Sequence, residues 1–193
     1  QVLASGGAER VGAAKSLFYH KNNRTGDNLR SEAVFPTHKE AICAMLEHLL
    51  AGCIDTLEEI SCVGFKVVHA KGVTGVQYLT DDVLQAMADF NSVAPAHNPP
   101  YIAAIRQFAA LMPDTPLIGS FETAFHANMP AEAFLYPIPL ELSKKHAIRR
   151  YGFMAPPTMA APVPDPVHNQ QIGDLKQQGN FRVVITLRTP PYV

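Results

Sequence analysis

Tryptophan is absent from the 193 residues, and cysteine is scarce, with Cys43, Cys53 and Cys62 only. Three cysteines leave one unpaired in any monomer bridge. A disulfide scaffold is therefore excluded, and a reduced, cytoplasmic setting is expected. Each cysteine reads as a small buried apolar residue. Charge is also thin. Charged residues make up 17% of the chain, and 16 basic side chains nearly cancel 17 acidic ones. With no basic excess to displace phosphate counterions, general nucleic-acid binding is excluded. No apolar run approaches the roughly 18 residues of a membrane span, so no membrane partner is expected. Gln1–Gly7 has neither the basic nor the apolar region of a secretory signal. The chain opens at Gln1 directly into a strand-like run, as a fragment would.

What remains is a chain 47% hydrophobic with low net charge. That excludes general disorder, and the length allows one medium domain or a domain with an appendage. Val2–Ser5 and Ser16–His20 read as short strands, separated by Gly6, Gly7 and Gly12. Lys21–Ser31 is polar and turn-rich, a loop or hairpin connection. Thr37–Leu50 is the clearest helix. Thr37 and Glu40 form a capping box, an apolar stripe runs through Ile42, Met45, Leu46, Leu49 and Leu50, and Gly52 stops it. Ser61–His69 is a buried-type strand, Asp81–Phe90 a second helix, and Asn98–Leu111 a third with Asn98 as cap and Pro99 as first residue. Leu117–Phe121 is another strand. Strands alternating with helices favour an α/β domain with parallel pairing. After Phe153 the composition shifts. Ala155–Pro166 carries five prolines and reads as an extended linker, with Phe181–Leu187 a possible strand beyond it. The division expected is residues 1–153 as the α/β domain and 154–193 as a Pro-rich tail.

Four stretches carry the chemistry. Gly64-Phe65-Lys66-Val67-Val68-His69 puts a cation and an imidazole at the end of a strand. Ala94-Pro95-Ala96-His97-Asn98-Pro99 puts His97 and Asn98 at a helix N-terminus, where anions bind. Phe121-Glu122-Thr123-Ala124-Phe125-His126 puts a carboxylate just after a strand, and Arg149-Arg150-Tyr151-Gly152-Phe153 is a basic pair followed by aromatics. Ligands of open α/β sheets bind beyond the carboxyl ends of the strands. By themselves these stretches support a small anionic ligand site. Lys66 reads either as a cation facing that site or as a charged residue at a strand edge. Glu122 reads either as a site carboxylate or as a cap of the following turn. Arg149 and Arg150 read as a solvated turn in preference to a phosphate site. His69, His97 and His126 lack the tight local spacing of zinc ligands, so no dedicated metal site is expected.

Together, and in this order, the four stretches resemble the acetate kinase (acetokinase) family over about Val2–Phe153. Met129-Pro130 and Ala133-Phe134-Leu135-Tyr136 match it in style. The resemblance implies a fold of the sugar kinase, actin and heat-shock ATPase type, with a mixed sheet and flanking helices. It also implies transfer of the γ-phosphoryl group of ATP to a short carboxylate, giving an acyl phosphate and ADP, with Mg²⁺. Such transfer asks for positioning and charge neutralisation more than covalent chemistry.

Carried over residue by residue, the family pattern is altered at its catalytic positions. Lys66 stands where the family has an arginine that binds the carboxylate and the phosphoryl group. Lysine keeps the charge and loses the bidentate fork. Glu122 stands for a catalytic aspartate, and Met154 for the histidine that stabilises the transition state, whose hydrogen bond a thioether cannot donate. Ala70-Lys71 replaces paired glycines. Val68, Ala96 and Phe153 line the implied acyl slot, which Ala96 widens, while His97, Asn98 and His126 keep the family identity. The family's first strand, its N-x-G-S-S-S phosphate loop and its second domain have no counterpart in the sequence. Two readings follow. One is an acetate- or propionate-kinase-type phosphotransferase, incomplete or inactive in this chain and holding no ATP or Mg²⁺ tightly. The other is a non-catalytic remnant that binds a small carboxylate or a protein partner. An exposed sheet edge would invite a homo-oligomer.

Overall fold

The computed structural model describes residues 2–151 and the strand Val183–Leu187. The readings of Phe153, Met154 and the Ala155–Pro166 linker lie outside the described residues. The chain divides into two compact units, Gln1–Ser61 with Ala103–Thr115, and Cys62–Ile102 with Pro116–Val193.

In the first unit, strands β1 (Ala4–Glu9), β2 (Ser16–Asn22) and β3 (Asn28–Ala33) form an antiparallel sheet in the order β1-β2-β3. Along β2 the residues Ser16, Phe18, His20 and Asn22 are buried and alternate with more exposed ones. The alternation follows from the two-residue period of a strand. The polar Lys21–Ser31 stretch is indeed a hairpin connection, but from Asn28 onward it is already β3, which runs on to Ala33. That strand is short, polar and largely exposed, so it carries no apolar alternation to betray it. Its turn is made by Asn22, whose Oδ1 accepts from the backbone N–H groups of Arg24 and Thr25. Gly6 and Gly7, expected to end β1, lie inside it and pair with His20 and Tyr19. A Cβ on Gly6 would stand 2.5 Å from the Tyr19 carbonyl oxygen, and one on Gly7 would stand 2.6 Å from the Tyr19 hydroxyl. The glycines are there for close approach, not for a break.

Helix α1 (His38–Leu50) starts at the expected capping box. Thr37 Oγ1 accepts from Lys39 N, and the Glu40 carboxylate accepts from Thr37 N at 2.9 Å. Phe18, Phe35 and Ala41 are buried together, with Ala8, Val11, Ala33 and Ala44 packed against them.

In the second unit, β4 (Ile60–Val67), β5 (Val76–Tyr78), β6 (Leu117–Phe121) and β7 (Val183–Leu187) are ordered β5-β6-β4-β7. β4 and β6 are parallel, as the alternation of elements requires, whereas β5 is antiparallel to β6. β4 is covered on both faces over much of its length, with Val63, Phe65 and Val67 buried on one and Ile60 and Cys62 on the other. Helix α2 (Asp81–Ala88) buries Leu84 and Met87. Helix α3 (Asn98–Leu111) runs on from the second unit into the first, and Ile102, Ile105 and Phe108 are buried as expected. Two short helices, α4 (Ala131–Phe134) and α5 (Leu140–His146), follow β6. Sequence pattern misses both, because Leu140 and Leu142 of α5 are exposed and give no inward stripe. Cys43, Cys53 and Cys62 are free thiols, the last two buried. No helix among the described residues is long and apolar enough to cross a membrane.

Two substitutions rank these local devices. Thr37→Ala removes one cap and is expected to lower unfolding free energy by about 1 kcal/mol. Gly6→Ala drives a methyl into main chain that cannot rotate away and is expected to cost more, about 1–3 kcal/mol. Urea denaturation of both variants checks the order.

Candidate functional site

The site grows out of the β4–β6 register. Lys66 pairs in register with Ser120, and Val67 with Phe121. The two strands run the same way, so their carboxyl ends emerge side by side. Lys66 occupies the exposed position in an otherwise covered stretch of β4, and Glu122 is the first residue past β6. The Lys66 ammonium and a Glu122 carboxylate oxygen form an ion pair. The structure brings Lys66 and Glu122 together at the strand ends. The side chains are 46% and 22% exposed. At such exposure an ion pair adds roughly 0–1 kcal/mol to stability, so its interest is chemical.

The strand ends are held from behind by Asn98. Its side chain is fully buried, and Nδ2 donates to the His69 carbonyl at 2.9 Å and the Met87 carbonyl at 2.8 Å. Both amide hydrogens are thereby used. Oδ1 has no donor among the described residues. The helix N-terminus also fails as the anion site expected from sequence. The Asn98 N–H donates to Ala94 O and the Tyr101 N–H to His97 O, while Pro99 and Pro100 have no N–H. No backbone donor in that first turn is left for a ligand. Asn98 joins the segment after β4 to the end of α2.

His69, the imidazole expected at the end of a strand, is central to the packing. It is buried, with Phe90 and Tyr151 edge-on to its ring at 4.6 and 4.2 Å. Burial lowers its pKa to about 4, so it is neutral at pH 7. The signal available in the sequence was an imidazole ending an apolar strand. Of the expected acyl-slot residues, Val68 is buried, Ala96 is exposed and His97 is half-buried. No described contact joins Val68 to Ala96. Thr123 is buried and shares a 3.0 Å hydroxyl hydrogen bond with Thr74. Arg149 and Arg150 are not simply solvated. The Arg149 guanidinium lies 3.9 Å from the Phe134 ring centroid, and that of Arg150 lies 5.9 Å from the Tyr136 ring centroid.

A cavity of about 410 Å³ opens beside these elements, lined by Ala70, Thr74, Thr123, His126, Phe134 and Arg149 among others. Neither Lys66 nor Glu122 lines it. Among the described residues no group of three or more His, Cys, Asp or Glu is placed to hold a metal ion.

Comparison with known proteins identifies the frame. The family model described as the acetokinase family matches residues 1–157. An acetate kinase of Agathobacter rectalis is 42% identical over 157 residues, covering 79% of this chain and 39% of the relative. One from Thermosipho melanesiensis is also 42% identical, with 79% and 38% covered. Among solved structures, an acetate kinase of Porphyromonas gingivalis superposes with a TM-score of 0.70 at 32% identity, covering 79% of this chain and 39% of that one. A propionate kinase of Francisella tularensis gives 0.68 at 31% identity, with 79% and 38% covered. The chain spans about two fifths of the length of the relatives it matches.

His69 makes the site acid-sensitive. Its pKa is near 4 folded and 6.5 unfolded, so the unfolded state takes up a proton first as pH falls. The stability it contributes is complete above pH 6.5 and is lost between pH 6.5 and 4, by up to about 3 kcal/mol. Unfolding free energies measured across that window should slope downward toward acid. The difference between wild type and His69→Phe isolates the slope, and equal slopes would refute the assignment.

Proposed function

Since the chain belongs to the acetokinase family, we propose that it forms the carboxylate-binding part of an acetate- or propionate-kinase-type site, and that alone it binds a short carboxylate without transferring phosphoryl. The observation that carries this reading is the Lys66–Glu122 ion pair at the adjacent ends of β4 and β6. In the reaction class of the family, a substrate carboxylate oxygen bonds to the γ-phosphorus of ATP as the bond from that phosphorus to its bridging oxygen breaks, and ADP leaves. In this chain Lys66 supplies the cation that orients the carboxylate. Glu122 stands where a carboxylate would face the transferring group.

The ion pair also explains weakness. Lys66 is a point charge on a flexible stem, without the fixed fork that orients a carboxylate through two bonds. Glu122 neutralises it from just beyond the adjacent strand, so an incoming carboxylate competes with one already built in. The described residues do not fit a magnesium site. Glu122 is engaged with Lys66, and no cluster of further acidic or imidazole ligands stands near. Mg²⁺ prefers several oxygen ligands in octahedral geometry, usually shared with substrate phosphates. No step is therefore routed through the metal.

Titration with acetate and propionate followed by NMR is expected to give millimolar dissociation constants. Glu122→Gln, which frees Lys66, should tighten binding several-fold, and Lys66→Ala should abolish it. A coupled assay with ATP and acetate should show no acyl phosphate. Turnover by this polypeptide alone would overturn the non-transferring part. Binding that ignores both substitutions would overturn the site.

A further inference from the structure

The strand order places β7 beside β4, on the side away from β6. β4 has the make-up of an inner strand. Val63, Phe65 and Val67 are buried, Lys66 is its one charged residue, and it is eight residues long. An edge of that kind, left open, is a template for pairing with another strand. Proteins usually blunt such edges with charge, proline or brevity. β4 carries a single lysine near its end, and it is neither short nor interrupted by proline. What covers it is Val-Val-Ile-Thr-Leu, five uncharged residues, four of them β-branched. β-Branched residues suit a pleated, half-buried surface.

The connection is as telling as the pairing. In sequence, β7 is separated from Tyr151 by residues 152–182, about thirty residues that include Pro156, Pro157, Pro162, Pro164 and Pro166. In sequence β7 is a remote segment, not the next strand of a meander. We propose that the open side of β4 is a strand-acceptor site whose occupant is the chain's own Val183–Leu187, held there by a tether. Backbone hydrogen bonds along the edge give the binding, and the apolar β-branched sequence gives the preference, as in β-augmentation. Tethering on a linker of this length supplies an effective concentration of order millimolar. The segment of the same molecule therefore outcompetes that of a second copy at micromolar protein. This assignment is independent of the carboxylate site.

Hydrogen exchange on the full chain tests it without mutation. Amides of Val183–Leu187 should exchange at least tenfold more slowly than in the free peptide, to the same degree at 5 and 100 μM protein. Free-peptide rates would overturn the proposal. Protection that rises with protein concentration would overturn the tethered assignment in favour of a second copy. Ile185→Pro removes a backbone donor in mid-strand. It should raise exchange in residues 60–67 at least tenfold while leaving α1 unchanged. A labelled peptide of sequence Arg-Val-Val-Ile-Thr-Leu-Arg should then bind this variant saturably, and wild type at least tenfold more weakly. Equal binding to both proteins, or β4 protection unaffected by the proline, would refute an acceptor edge filled by this segment.

Discussion

Parallel pairing of β4 with β6 is the constraint from which the site follows. Antiparallel neighbours would send Lys66 and Glu122 to opposite ends of the sheet, however suggestive their sequence contexts. Because Lys66 lies opposite Ser120 and Val67 opposite Phe121, the penultimate residue of β4 meets the first residue past β6. A parallel pair needs a long crossover, and here residues 68–116 supply it through β5, α2 and α3. Much of the second unit is thus the connection that one pairing demands.

Asn98 shows how a polar side chain can be structural at a position where sequence suggests a ligand. A buried amide must find partners or lose about 1–3 kcal/mol. This one finds two carbonyls, at the exit of β4 and the end of α2. With Pro99 and Pro100 next in line, the helix start has no donors to offer. His69 and Asn98 form a buried polar layer behind the strand ends, and Phe90 and Tyr151 shield the imidazole.

Much of the fold was legible where periodicity and capping coincide. The Thr37–Glu40 box, the apolar stripe of α1 and the buried β4 each state one conformation at several levels. Elements without an inward stripe were not legible. β3 is polar, β5 has three residues, and α5 turns leucines to solvent. The residues of the ion pair were legible as types, but their meeting was not, because register is a property of two strands and sequence shows one at a time. The failure of the helix start as an anion site was in plain view in Pro100, whose ring removes a second donor. The cation–π placements of Arg149 and Arg150 depend on rings from α4 and the turn after it, which local spacing cannot show.

The β1–β2 hairpin leaves its own mark on which sequences the fold can explore. At position 7 the obstacle to a side chain is the end of the Tyr19 ring, a group that substitution can shorten. At position 6 it is the Tyr19 carbonyl, which every residue carries. The two glycines therefore differ in evolutionary freedom. Position 7 can change once position 19 has become smaller, so the order of substitutions matters. No change at position 19 alters the backbone oxygen that faces position 6.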